Sequence, residues 1–261
     1  MDRTIPLKEG EDLSELWGTG LWIIQSQKGY RYSLDAILLA HFASPVGTSK
    51  VLDLGAGNGA VTLLLAIKNE KASLAGLEIQ KALADQAQRS IQLNRLQDRV
   101  QIIEGDLREI SRIFSKASFQ VVVSNPPYRG LEDGRLSPKK EIQVAKHEVL
   151  CRLEDVARAA SYCLQEKGRF CVIYPANRLT CLFSCLQAWH LEPKRLRLVH
   201  PSLRRRAELV LVEARKGGRP ELSVLSPLVL YGDKGKEFNP ELQSIYASFR
   251  RSNTEQRQEM E

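Results

Sequence analysis

The stretch VVVSNPPYRG, residues 121–130, ends a run of β-branched residues with an amide, two prolines and an aromatic ring. Such a run reads as a strand buried on both faces, so Asn125 stands where that strand leaves the core. Asn125 offers a side-chain carbonyl and Pro126 a backbone carbonyl. Two neighbouring acceptors suit the two N–H protons of an exocyclic amino group or of a primary amide. The lone pair of such a nitrogen is delocalised, and accepting both protons localises it as the nitrogen attacks an electrophile. Pro126 and Pro127 stiffen the loop. Tyr128 offers a flat face on which a planar group stacks. Asn125, Pro126, Pro127 and Tyr128 are therefore the candidate catalytic residues. They would act by positioning and electrostatics, with no general base of shifted pKa.

A second cluster, DLGAGNGA, sets Asp53 two residues before Gly55 and continues with Gly57 and Gly59. It lies where an apolar strand turns into a helix. Glycine there lets a ligand approach the backbone without a Cβ clash, and the helix start presents free N–H groups. Dinucleotide sites use G-x-G-x-x-G with pyrophosphate at the helix start. Here the spacing is G-x-G-x-G behind an acid, which repels phosphate and attracts an ammonium group. A cofactor with an amino-acid end fits, and S-adenosylmethionine has one. Glu78 ends the second strand, where an acid can accept both ribose hydroxyls. Asp106 follows the third strand in EGD, at the same edge, and would accept the adenine amino group. Three acids at the carboxyl ends of three successive strands mark the ligand edge of such a sheet.

The elements that must hold these residues alternate. Strand KVLDLGAG, helix GAVTLLLAIKNE, strand ASLAGLEI, helix QKALADQAQRSIQLNRL, strand VQIIEGD, a short helix near 107–115 and strand FQVVVSN follow one another. A helix with Leu150, Leu153, Val156, Ala157, Ala160 and Leu164 on one face comes next. Strand GRFCVIYP and a helix with Leu179, Leu182, Phe183, Leu186 and Trp189 on one face follow it. KRLRLVH and AELVLVEA are the sixth and seventh strands. The pattern specifies an α/β fold with a seven-stranded, mostly parallel sheet, helices on both faces and an antiparallel last strand. Arg195 and Arg197 alternate with Leu196 and Leu198, which places that strand near an edge with one wet face. Residues 1–45 are expected to form a cap and residues 46–250 the core with a C-terminal extension, a single domain over 1–250. Residues 251–261 have no apolar face and are expected to be a disordered tail.

The 261 residues are 43% hydrophobic and 26% charged, ordinary for a globular chain. No apolar run is long enough for a membrane span, and the N-terminus lacks a signal-peptide core. Cys151, Cys163, Cys171, Cys181 and Cys185 form no CxxC pair and are expected to be reduced packing residues in a cytoplasm. His41, His147, His190 and His200 join no constellation, and no metal-ligand cluster is expected. The net charge is +7. Residues 191–219 hold Lys194, Arg195, Arg197, Arg204, Arg205, Arg206, Arg215, Lys216 and Arg219 against Glu192, Glu208 and Glu213. Nine minus three is +6, so this one segment carries nearly all of the excess. Such a concentration suits a phosphate backbone. It also suits a solvated face with scattered counter-ions.

VLDLGAGNGA, LEI and SNPPY are together similar to the class I S-adenosylmethionine-dependent methyltransferases of the Asn-Pro-Pro-Tyr type, whose fold is Rossmann-like. Further stretches resemble the bacterial tRNA(Val)-type adenine-N6 methyltransferases: GYRYSLDAILLAHFA, VAKHEVLCRLEDVARAA, RLRLVHPSLRRRAELVLVEARKGG and SPLVLYGDKGKEFNPELQSIY. The resemblance runs from about residue 15 to 248. It implies that Asp53, Gly55, Gly57 and Asn58 line the methionine end of the cofactor, Glu78 its ribose and Asp106 its adenine. It implies that Asn125 to Tyr128 meet the target base and that Asn125 also meets the cofactor. Ser33 and Asp35 would open a helix that lids the cofactor, or serve as an ordinary helix cap. Arg195, Arg197, Arg204, Arg205 and Arg206 would hold phosphates of a tRNA, with no obligate protein partner. The alternatives are a glutamine-N5 methyltransferase of a translation release factor, an adenine-N6 enzyme of rRNA or DNA, and a non-catalytic RNA-binding module. The glutamine enzyme would not need the basic segment, and for its usual separate helical N-terminal domain 45 residues is short.

Overall fold

The computed structural model describes residues 5–28, 31–44, 47–126, 153–232 and 237–250. A hairpin comes first, β1 (Glu11–Glu15) against β2 (Trp22–Ser26), followed by α1 (Leu34–Ala43). The alternating core is β3 (Lys50–Leu54), α2 (Ala60–Lys68), β4 (Ser73–Glu78), α3 (Lys81–Leu93), β5 (Val100–Glu104), α4 (Ile110–Ile113) and β6 (Phe119–Ser124). It continues with α5 (Leu153–Cys163), β7 (Leu164–Pro175), α6 (Leu179–Ala188), β8 (Leu191–His200) and β9 (Leu209–Lys216). Two short strands, β10 (Ser223–Val224) and β11 (Leu228–Val229), and a helix, α7 (Pro240–Ala247), complete the described chain.

The main sheet runs β5-β4-β3-β6-β7-β9-β8, with β10 and β11 on the outer side of β8. Only β9 is antiparallel to its neighbours, β7 and β8. The expected seven strands with an antiparallel last one are present. The two-residue strands beyond β8 raise the total in this sheet to nine among the described residues.

Side chains alternate between the two faces as the pleat requires. Val51, Val121, Val123, Cys171, Ile173 and Leu211 lie in a core with α1 and α2. Leu52, Leu54, Val122, Phe170, Val172, Val210 and Val212 lie in another with α5 and α6. Helix α2 is buried from Ala60 to Ala66 because it is covered by α1 on its outer side. Asn239 caps α7 by accepting from the Glu241 amide at 3.0 Å, with Pro240 in the first turn.

Four local expectations are corrected. Leu164 begins β7 instead of closing α5, and Trp189 is the residue after α6. Cys181 is exposed, whereas Cys163, Cys171 and Cys185 are buried, and burial pushes the Cys163 and Cys171 thiols up to about 12. The face of β8 that carries Arg195 and Arg197 is partly covered by helices, with the Arg195 side chain 40% exposed and that of Arg197 14%. Arg195 lies over the Phe42 ring of α1 at 4.8 Å, and Arg197 pairs with Glu241 of α7. Cys151, Leu150, His147 and the tail 251–261 lie outside the described residues. Among the described residues no helix is long and apolar enough to cross a membrane, and no group of three His, Cys, Asp or Glu could hold a metal.

Candidate functional site at the carboxyl edge of the sheet

Strands β3, β4, β5 and β6 are parallel and end together: Leu54 pairs with Ser124, and Glu78 with Glu104. Asp53, Glu78, Asp106 and Asn125 are thereby brought to one edge, where ligands of open α/β sheets bind.

The glycine loop is pinned to the next strand. The amides of Gly55 and Ala56 both donate to the Leu77 carbonyl, at 2.9 and 3.0 Å. Gly55, Gly57 and Gly59 all take positive φ, of 75°, 58° and 86°, a region that side chains disfavour. The glycines differ in what surrounds them. A Cβ on Gly59 would meet Ala87 Cβ at 3.0 Å, so this glycine serves helix packing. A Cβ on Gly55 would meet nothing within 4 Å, which leaves its approach open to a ligand.

Glu78 is 4% exposed and is held by backbone alone. Its Oε2 accepts from the Gly57 amide at 2.9 Å and its Oε1 from the Gln80 amide at 2.9 Å. Each oxygen keeps lone pairs for hydroxyl donors. Asp53 is 2% exposed, and the Thr62 hydroxyl donates to its Oδ2 at 2.7 Å. Burial raises its carboxyl to about 7, helped by the nearby Glu78 and opposed by Thr62. Asn58 is 1% exposed, and neither atom of its side-chain amide has a hydrogen-bond partner. An orphaned buried amide is costly, and a ligand that both donates and accepts would relieve it. A cation would restore the charge of Asp53. An ammonium and a carboxylate on one small group therefore fit Asp53 and Asn58 together, which matches the amino-acid end expected for the cofactor.

Asp106 is half-buried and engaged by Arg108. Its carboxylate caps the short turn after β5, accepting from the Arg108 amide at 2.8 Å and from Arg108 Nε at 2.8 Å. These bonds hold its carboxyl below the usual range. Ser33 occupies the position before α1, with no cap hydrogen bond from its side chain. Asp35 lies in the first turn of that helix. Because the C-terminal end of α1 leads to the start of β3, its N-terminal end, with Ser33 and Asp35, lies towards the carboxyl edge. Asn125 is half-buried and Pro126 buried at the end of β6. The Ser124 hydroxyl ties that end to the Leu54 carbonyl at 2.8 Å. Pro127 and Tyr128 lie outside the described residues.

The five arginines do not form one patch. Arg195 donates at 2.9 Å to Glu213, which is 2% exposed and also paired with Arg169 at 3.3 Å. Arg197 donates at 3.0 Å to the Ser226 carbonyl and reaches Glu241. Arg204, Arg205 and Arg206 are exposed in the turn between β8 and β9. β8 runs parallel to β6, so that turn stands on the same carboxyl edge as Asn125. Three strand steps separate β6 from β8, about 14 Å at the usual spacing of neighbouring strands.

Two residues that sequence reasoning passes over belong to the site. Thr62 lies one turn into α2, and no spacing rule marks it as the partner of Asp53. Gly76, in the middle of β4, has no room for a side chain: a Cβ there would lie 2.5 Å from Ile102 Cδ1 and 2.9 Å from Ala56 Cβ. A glycine inside a strand is the signal for such close approach.

Several bacterial proteins named tRNA1(Val) (adenine(37)-N6)-methyltransferase are similar to this chain. That of Bacteroides thetaiotaomicron is 29% identical over 158 residues, covering 60% of this chain and 65% of its own. That of Escherichia fergusonii is 31% identical, covering 60% and 64%. The chain thus spans just under two thirds of these relatives' length. The Dyadobacter fermentans protein of the same name is 23% identical over 86% of this chain and 92% of its own. Among solved structures, a predicted O-methyltransferase of Agrobacterium tumefaciens superposes with a TM-score of 0.69 at 24% identity, over 84% of this chain and 98% of its own. That likeness shows the fold, which is that of the class I methyltransferases. The model of the methyltransferase small domain family matches residues 33–178, more than half of the sequence, and the chain belongs to that family.

Proposed function

We propose that this methyltransferase transfers a methyl group from S-adenosylmethionine to the exocyclic N6 amino group of an adenine in the anticodon loop of a tRNA. The observation that carries the reading is the position of the Arg204–Arg206 turn. It stands on the same sheet edge as Asn125 and the glycine loop, three strand steps from β6. An adenine-N6 enzyme of nucleic acid needs cations beside its pocket to hold phosphates, and a glutamine methyltransferase of a protein does not. The names of the similar bacterial proteins support the same choice.

S-adenosylmethionine, when bound, supplies an electrophilic methyl group on sulfur. Asp53 and Asn58 would hold its amino-acid end, and Glu78 its ribose. Ser33 and Asp35, at the start of α1, would face the same ligand. Asp106 takes two donor contacts from Arg108 on each oxygen, so accepting an adenine amino group would mean exchanging one of them. The target base leaves its stack to reach the end of β6, a step that an unpaired loop makes easier. There Asn125 accepts one N–H proton through its side-chain carbonyl, and the Pro126 carbonyl accepts the other. This localises the N6 lone pair towards the methyl group, and no covalent enzyme intermediate is required.

The test is methyl transfer from labelled cofactor to tRNA, rRNA, DNA and a release factor in parallel, followed by hydrolysis and analysis of the labelled product. The expected product is N6-methyladenosine from tRNA. Label confined to glutamine, to rRNA or to DNA would replace this reading with the corresponding alternative.

A further inference from the structure

Leu203 is 71% exposed, the most exposed large hydrophobic residue among those described. It is not at the tip of a loose loop. The Arg205 amide donates to the Ser202 carbonyl at 3.1 Å, and His200 Nδ1 lies 2.8 Å from the Arg205 carbonyl. The Glu208 amide donates to the Val199 carbonyl at 3.0 Å, closing the neck of the turn. The Glu208 carbonyl accepts from the Ala176 amide at 3.0 Å, which ties the turn to the segment after β7. On the other side, the Tyr231 amide donates to the Pro201 carbonyl at 3.0 Å. Arg205 is paired across the turn with Glu208 at 3.0 Å, whereas Arg204 and Arg206 are exposed. The turn thus holds an apolar side chain out in water, next to cations, on the edge that carries Asn125.

A single exposed leucine is ordinary. A leucine held on a braced turn and followed by arginines, about 14 Å along the same sheet edge from the strand that carries Asn125, has a specific use. Apolar side chains of this kind insert between base steps as wedges and part the stack. We propose that Leu203 is such a wedge: it inserts beside the target adenine in the RNA stack and holds the adenine out while Arg204 and Arg206 grip the flanking phosphates. The inference rests on the tRNA reading above and adds a residue that positions the substrate. Leu203 does not touch the reacting atoms. It lowers the barrier to presenting them.

The experiment compares the wild type with Leu203→Ala and Leu203→Met on three tRNA1(Val) transcripts. One is intact, and the other two each have one nucleotide flanking adenine 37, the position in the relatives' name, made abasic. An abasic neighbour removes most of the stacking that a wedge must part. On the intact transcript, Leu203→Ala is expected to lower kcat/KM about tenfold, and Leu203→Met to restore most of it. On one abasic transcript the deficit of Leu203→Ala should shrink to about twofold or less. The salt dependence of binding and the melting temperature should not change, because the residue is neutral and exposed. Equal activity of Leu203→Ala and wild type on the intact transcript, or the same deficit on all three, would overturn the wedge while leaving the tRNA reading intact. A wild type that methylates protein and no RNA would overturn both.

Discussion

The Thr62 hydroxyl donates a 2.7 Å hydrogen bond to the Asp53 carboxylate, nine residues earlier in the chain and buried under the glycine loop. Burial holds that carboxyl at about 7, and Thr62 is the group that keeps it from rising further. Binding of a cationic amino-acid end needs the ionised form. Cofactor affinity is therefore expected to tighten as pH rises through about 7 and to weaken again above about 8, where the α-ammonium of the cofactor loses its proton. Thr62→Val should move this transition to higher pH and weaken binding at neutral pH. The sign for stability is the opposite. A carboxyl whose pKa is raised on folding favours the fold fully below its ordinary value of 3.8, and this contribution is lost as pH rises through about 7. Melting of the cofactor-free protein should accordingly fall across that window, and added cofactor should offset the loss. Calorimetric titrations and melts over one pH series measure both. An affinity independent of pH would remove Asp53 from the ammonium site.

The second prediction concerns Glu78, whose two oxygens accept from the Gly57 and Gln80 amides at 2.9 Å each. Glu78→Ala leaves two backbone donors without their acceptor. It should cost about 1–3 kcal/mol of stability in addition to weakening cofactor binding. Glu78→Gln keeps one acceptor oxygen and should recover part of both. Melting and cofactor titration of the two variants check this. A Glu78→Ala protein as stable as wild type, with unchanged cofactor affinity, would exclude the residue from the site.

The third prediction separates two groups of arginines. Changing Arg204, Arg205 and Arg206 together to Ala should weaken tRNA binding and flatten the log–log salt slope by up to about 2 units, at roughly 0.7 per phosphate contact in single-stranded segments. Cofactor affinity should be unchanged. Arg195→Ala, in contrast, removes a 2.9 Å partner from the buried Glu213 and should destabilise the fold by about 1–3 kcal/mol without altering that slope. Filter binding across salt concentrations and thermal melts distinguish the two. Equal slopes for wild type and the triple variant would make the turn an ordinary solvated surface.

What the sequence discloses and what it hides follow from range. Strands β3, β4, β6 and β7 are buried on both sides, so they appear as apolar runs and their order along the chain is legible. The acids at their ends, Asp53 and Glu78, are legible for the same reason: each belongs to the end of such a run. β10 and β11 are two residues long and have no period to read. Arg195 and Arg197 carry the alternation of a half-wet strand, but Phe42 and Glu241, which meet them, come from helices 153 and 44 residues away in sequence. Asp106 is legible as an acid at the ligand edge, whereas its bonds to Arg108 depend on the turn geometry after β5. Thr62 is hidden because its role depends on how α2 returns beneath the loop.

Asn125 stands at the end of β6, and its proposed work is confined to the target nitrogen. The most direct test is Asn125→Ala, assayed for N6-methyladenosine in tRNA under single-turnover conditions beside calorimetry of cofactor binding. Methylation should be lost while cofactor affinity stays within a few-fold of wild type, because the amide stabilises only the reacting amino group. A folded Asn125→Ala protein that still forms N6-methyladenosine at the wild-type rate would contradict the mechanism.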